Sequence, residues 1–218
     1  MAKYAVGMNT DGNVTSATMF SLSKMWNAYP DDFESRLILA DGGCGDFAGS
    51  RNRLVRAFLS TGIEWLLVVD ADVVWEPLDW ERLRGSASDD APFVAGTYFV
   101  INDPIRPCAM TFKGDVGYTP VLREDSPELL QVSAACVGFG LLHRDVFLKS
   151  GDMTNDHEWF EHGWRAPNGQ TLSEDWAFCS RGGEAGFPIY LNTKVRLGHL
   201  KPRVYGWDDY AGTTSGQE

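Results

Sequence analysis

Two carboxylates close an apolar run. In WLLVVDADVVWEP, residues 65–77, five apolar residues lead straight into Asp70 and Asp72, with one alanine between them. In an extended chain residues i and i+2 project from the same face, so the two acids are expected to point together. Carboxylates that close repel each other, and one stays protonated unless a cation sits between them. A hard divalent ion such as Mg²⁺ or Mn²⁺ meets that need, because it prefers oxygen ligands. The plainer reading is that the strand has reached water, with Asp70 ending it and Asp72 solvated. The pattern alone leaves both readings open.

Other groups invite the same double reading. In SEDWAFCSRGGEAGFPIY, Glu174 and Asp175 open a helix, where acids by themselves read as stabilising the macrodipole. Gly43, Gly45 and Ala48 form a literal G-x-G-x-x-A between a strand and a helix, with Asp70 at the end of the following strand. That is the order of a dinucleotide-binding unit. It leaves Asp72 unexplained, and a whole strand and helix precede it, so an NAD(P)-dependent oxidoreductase is the alternative reading. His157-Glu158 with His162 suggests a zinc protease, but histidines five apart on a helix lie about 140° apart around the axis and cannot share one ion. That reading is rejected. Trp159, Trp164 and Trp176 could offer a flat surface to a sugar or base, or fill the core.

The elements that must position these groups alternate through the first half. YAVGM (4–8), RLILA (36–40) and WLLVVD (65–70) read as strands. TSATMFSLSKMWNAY reads as a helix with Met19, Leu22 and Trp26 on its apolar stripe. SRNRLVRAFLSTG reads as a second helix, with Ser50 as N-cap, Gly62 as stop, and Arg53 and Arg56 on a solvated face. This βαβαβ beginning predicts a parallel sheet with ligands at the carboxyl ends of its strands. Beyond residue 90, APFVAGTYFV, PCAMTF, LLQVSA and VGFGLLHRDVF predict strands with short connections, making the sheet mixed. A helix from about Ser173 to Ala185, a strand FPIYL and the stretch KVRLGHL follow. One domain over residues 1–209 is expected, with a disordered tail over 210–218.

With 218 residues and a net charge of −11, the chain is not expected to carry a broad nucleic-acid-binding face. A phosphorylated ligand would need a local cation. The four cysteines form no C-x-x-C and read as reduced thiols. No membrane-span pattern and no signal-peptide pattern is evident, so a cytoplasmic location is expected.

Taken together, SRNRLVRAFLSTGIEWLLVVDADVVWEP, ACVGFGLLHRDVF, SEDWAFCSRGGEAGFPIY and KVRLGHL, in that order, resemble nucleotide-sugar-dependent glycosyltransferases of the GT-A fold. The likeness is to small phage and bacterial family-2-like enzymes, with an Anp1-type mannosyltransferase-like D-x-D stretch. It implies a three-layer α/β/α sandwich with a mixed central sheet. On that resemblance Asp70 contacts the ribose or the metal, Asp72 ligates Mn²⁺ or Mg²⁺, and His199 completes the protein ligands; alone, His199 would read as a partly buried histidine. Arg51 lies near the nucleotide, and Asn9 and Thr10 sit where the family holds the base. Asp175 is the base of an inverting reaction, with Glu174 orienting the acceptor or its loop. Lys201 and Arg203, on KPRVYGWDDY, are placed like a lid meeting phosphate. The implied activity moves a sugar from a UDP- or GDP-sugar to a hydroxyl of a glycan, a protein or a modified nucleobase, in the host cytoplasm if phage-encoded. A non-catalytic nucleotide-sugar-binding module remains a third reading.

Overall fold

A computed structural model describes residues 4–10, 12–41, 46–100, 105–113, 116–151, 159–163, 165, 169 and 171–201; the side chains of Asn9 and of residues 36–41 lie outside that description. The first half runs β1 (Tyr4–Thr10), α1 (Ser16–Ala28), β2 (Phe33–Asp41), α2 (Phe47–Thr61) and β3 (Trp65–Asp70). After it come β4 (Val73–Val74), α3 (Pro77–Ser86), β5 (Phe93–Thr97), β6 (Phe99–Val100), β7 (Arg106–Pro107), β8 (Ala109–Lys113) and β9 (Val116–Tyr118). The chain continues through β10 (Leu129–Val132), β11 (Ala134–Ala135), β12 (Phe139–His143), α4 (Arg144–Ser150), α5 (Glu174–Glu184), β13 (Ile189–Arg196) and β14 (Gly198–His199).

Seven strands form the central sheet in the order β10-β13-β5-β12-β3-β1-β2. β1 lies parallel to both β2 and β3, as the βαβαβ pattern requires. β12 enters between β3 and β5 antiparallel to both, and β10 pairs antiparallel with β13, so the sheet is mixed. β3 shows why its sequence is apolar throughout. Leu66 and Val68 join a core cluster with Leu54, Phe58, Phe147 and Phe178, from α2, α4 and α5. Trp65, Leu67 and Val69 join the opposite cluster, with Leu22, Met25 and Trp80 from α1 and α3. A strand covered on both faces has no polar side to show, so period-2 alternation disappears.

Two helix details differ from the sequence expectation. The buried side of α1 is Thr18, Ser21, Leu22 and Met25, whereas Met19 is 41% exposed. Polar groups win those inner positions by bonding the chain beyond β3: the Thr18 hydroxyl donates to the Val73 carbonyl (2.8 Å), and Trp75 N–H donates to Ser21 Oγ (3.1 Å). Hydrophobic periodicity cannot see such bonds. The N-cap of α2 is Asp46, which accepts from Gly49 N–H at 2.9 Å, and Ser50 is buried one turn further in. Gly62 ends α2 at φ 76°, the left-handed conformation a stop glycine supplies.

The expectation of reduced thiols is corrected. Antiparallel pairing of β8 with β11 sets Met110 opposite Ala134 and Ala109 opposite Ala135, and the next pair in that register is Cys108 with Cys136. They form a disulfide across a separation of 28 residues. Spacing along the chain carried no sign of it, because β-pairing creates the proximity. Cys179 stays free and buried, its thiol pushed up to about 12 by burial. Reduction of Cys108–Cys136 is expected to lower unfolding stability by about 3 kcal/mol through loop-closure entropy, read as a lower urea midpoint in the presence of a reductant. An unchanged midpoint would contradict this.

Trp159 belongs to the core, donating its indole N–H to the Phe147 carbonyl (2.7 Å), and Trp176 packs partly buried against the same cluster. Trp164, Arg203 and the tail 210–218 lie outside the described residues. Among the described residues no helix is long and apolar enough to cross a membrane.

Candidate functional site

Asp70 is the last residue of β3 and pairs in register with Asn9 near the end of β1. The chain then turns through Ala71 and Asp72 before β4. That turn overrides the same-face expectation, which held only for a continuing strand. Asp70 faces back toward α2, while Asp72 faces β14. Pairing of β14 with β4 sets His199 opposite Val73, and Leu200 N–H donates to the Asp72 carbonyl at 2.8 Å. By this route a residue 127 positions later in the sequence arrives beside Asp72.

These groups line a cleft of about 580 Å³, within the roughly 300–1,000 Å³ range of small-molecule sites. Thr10, Asn13, Val14 and Thr15 form one wall, from the end of β1 to the cap of α1. The Thr10 hydroxyl donates to the Asn13 carbonyl (2.8 Å) and accepts from Gly12 N–H (3.1 Å), which fixes that turn. Glu174 and Asp175, in the first turn of α5, form another part. Among the described residues four carboxylates line the cleft, Asp70, Asp72, Glu174 and Asp175, against two permanent cations, Arg51 and Lys201.

Arg51 organises the deep end. It is only 4% exposed and points from α2 into the acids. Nη2 donates to Asp70 Oδ1 and Oδ2 at 3.2 and 3.3 Å, Nη1 donates to Glu174 Oε1 at 3.2 Å, and Nη1 also contacts Asp175 Oδ1. Burial on its own would lower the guanidinium pKa, but the charges of Asp70 and Glu174 outweigh it and the pKa is raised. Arg51 lines the cleft, yet its forked donors are committed to protein carboxylates.

At the mouth, Asp72 Oδ2 lies 3.4 Å from His199 Nε2 and 2.5 Å from Lys201 Nζ. Burial would raise the Asp72 pKa, but hydrogen bonds from His199 and Lys201 bring it to about 2. The other imidazole nitrogen, Nδ1, lies 2.8 Å from the Phe99 carbonyl. A carbonyl can only accept, so Nδ1 carries hydrogen there and Nε2 faces Asp72. The Asp72 contact, more than any other, raises the His199 pKa.

Sequence reasoning missed Tyr98, weighed His162 only as a zinc ligand, and gave Gly138 no role of its own within ACVGFGLLHRDVF. Tyr98 is buried in the cleft wall, its ring edge-on to His199 with centroids 5.0 Å apart, and its hydroxyl accepts from Gly138 N–H at 3.3 Å. A side chain at Gly138 would put Cβ 2.5 Å from Asp70 Oδ2 and 2.6 Å from the Tyr98 hydroxyl, so glycine is what lets the turn before β12 pass this close. His162 accepts from Ala48 N–H at the start of α2 (3.3 Å), with Nδ1 4.0 Å from Glu174 Oε2. Its partners in the rejected zinc pattern, His157 and Glu158, lie outside the described residues, as do Gly43 and Gly45. No local pattern marked Tyr98, and the local pattern around His162 pointed to the wrong chemistry, because each gains its place from elements far away in sequence.

The expected trio of metal ligands does not converge. Among the described residues no three His, Cys, Asp or Glu side chains form a ready cage. Asp70 is held by Arg51, while Asp72 and His199 face each other. An imidazole nitrogen with its far N–H fixed by a carbonyl, opposite an ionised carboxylate, is a donor pair suited to a divalent ion, and the Nδ1 bond is the outer-shell contact that orients such a ligand.

No protein-family profile and no curated protein sequence matches the chain. Among solved structures it is similar to A197 from STIV, with a TM-score of 0.59 and 17% identity over 92% of this chain and 86% of that one. It is also similar to GalNAc-T7 crystallised with UDP, GalNAc and Mn²⁺, with a TM-score of 0.57 and 13% identity over 94% of this chain and 45% of that one. The chain thus spans less than half the length of the latter. The likeness is one of fold: a mixed α/β sheet architecture similar to that of GT-A glycosyltransferases.

Proposed function

We propose that the chain is a metal-dependent glycosyltransferase that moves a sugar from a nucleoside-diphosphate sugar, a UDP-sugar first and a GDP-sugar second, to an acceptor hydroxyl. The observation that carries this reading is the single cleft holding Asp70, Asp72, Glu174, Asp175 and His199 at the carboxyl ends of β1 and β3. In open α/β sheets that is where ligands bind. The GT-A-like fold supports the same reading.

Asp72 and His199 would hold the divalent ion, and diphosphate oxygens and water would complete its coordination. When bound, the ion supplies positive charge against the leaving diphosphate. It also answers the electrostatic problem of an anionic donor entering a cleft with more carboxylates than cations. Lys201, now on Asp72, stands where it can exchange that carboxylate for phosphate. Thr10 and the turn to Thr15 border the nucleoside, with Asn9 beside them. The acceptor oxygen attacks the anomeric carbon as the bond from that carbon to the diphosphate oxygen breaks. Asp175 takes the acceptor proton, and inversion at the anomeric carbon follows from attack opposite the leaving group. Glu174 and Asp70 keep Arg51 in place, and Arg51 keeps Asp175 facing the cleft.

A thermal-shift series with UDP, GDP and NAD, each with Mn²⁺ and with EDTA, tests this. Ligand at a hundredfold excess over Kd is expected to raise the melting point by roughly 5–10 °C, for UDP or GDP and only with metal. Stabilisation by NAD regardless of EDTA would overturn the proposal in favour of the glycine loop at residues 43–48.

A further inference from the structure

A second cavity borders the donor cleft and differs from it in chemistry. It has about 600 Å³, and Phe99, Ile105, Tyr118 and Val121 in its lining are 41%, 68%, 48% and 78% exposed. Large apolar side chains left in water together mark a binding surface. Among the described residues its lining holds no carboxylate, on a chain of net charge −11, and the charged group it does hold is Arg106.

The groove and the cleft share one two-stranded ribbon. In β6 Phe99 lines the groove while Val100 lines the cleft, and Pro107 of β7 lines the groove while the following Cys108 lines the cleft. The same Phe99 supplies the carbonyl that fixes His199. A molecule with its hydroxyl in the cleft therefore has an apolar surface next to it.

We propose that this groove is the subsite for the remainder of the acceptor, and that the acceptor carries its hydroxyl on an aliphatic stem. The proposal rests on the glycosyltransferase reading. An alkyl chain suits the walls better than a peptide does. Pro107 and Pro120 offer no N–H, and a buried peptide amide without a partner costs free energy that a methylene does not. A second copy of the chain suits them less well, because four exposed side chains fall far short of the roughly 20–30 residues a side that a stable interface uses. Arg106 is available to an anionic or hydroxylated linkage at the head of the stem.

The test is a calorimetric titration of the full chain with n-alkyl β-glucosides from methyl to octyl, kept below micelle-forming concentrations. Wild type, Ile105→Asp and Val121→Asp are compared, and UDP with Mn²⁺ is titrated in parallel. Both positions are exposed, so the variants keep the fold. The expected result is an affinity that climbs by up to about fourfold per buried methylene, falls at least tenfold for the octyl glucoside in either variant, and leaves UDP–Mn²⁺ binding unchanged. Binding independent of chain length, or unaltered in both variants, overturns the proposal. So does tighter binding of a tyrosine- and serine-containing peptide than of octyl glucoside, or a wild-type dimer that Val121→Asp dissociates. Chain-length dependence without UDP–Mn²⁺ binding removes the transferase reading and with it the acceptor assignment, while the groove keeps its alkyl ligand.

Discussion

Replacing Arg51 by alanine is expected to lower unfolding stability by about 3–5 kcal/mol, the cost of leaving buried charges without their partner. Three carboxylates depend on this guanidinium, and all three side chains are themselves largely buried. Without it Asp70, Glu174 and Asp175 face one another at the deep end of the cleft with the guanidinium charge gone from between them. They must then move apart or take up protons, and either response dismantles the deep end of the cleft. Arg51→Lys is expected to recover only part of the loss. A lysine restores one charge but not the fork that bonds Asp70 with one nitrogen and Glu174 with the other. Urea denaturation of wild type and both variants reads the effect. A loss below about 1 kcal/mol for Arg51→Ala would mean that the cluster behaves like a solvated surface network.

Asp175→Asn is expected to have the largest effect on turnover, a fall of about 10²–10⁴ in sugar transfer, the usual contribution of a positioned general base. The amide keeps the size of the carboxylate but cannot take up the acceptor proton. Nucleotide binding should remain near wild type, because the donor is proposed to rest on Asp72, His199 and the turn after β1. The readout is release of nucleoside diphosphate from its sugar conjugate, measured beside nucleotide affinity. Equal release by wild type and variant would remove Asp175 from the chemistry. A joint loss of release and of nucleotide affinity would give Asp175 a binding role instead.

Much of the frame was legible in the residues. The βαβαβ order of the first half predicted a parallel sheet, and β1 does lie parallel to both β2 and β3. The short apolar segments after residue 90 predicted a mixed sheet, and β12 inserts antiparallel between β3 and β5. The acid pair Glu174–Asp175 does open a helix. What escaped depends on contacts distant in sequence. Arg51 meets Asp70 across 19 residues and Glu174 across 123, and nothing local announces either bond. The turn at Ala71 sends Asp70 and Asp72 to different partners, although their spacing promised a shared face. Cys108 and Cys136 meet because β8 and β11 pair, and Thr18 turns inward because Val73 offers it a carbonyl. Residue type and period report burial well; they do not report which buried group faces which.

The most direct test of the donor site is an anomalous diffraction map, at a wavelength where manganese scatters, from crystals grown with Mn²⁺ and UDP. The account predicts one strong manganese peak in contact with Asp72 and His199, with the diphosphate beside it and the nucleoside along the Thr10–Thr15 turn. UDP bound elsewhere, or manganese away from Asp72 and His199 while UDP occupies the cleft, would contradict it.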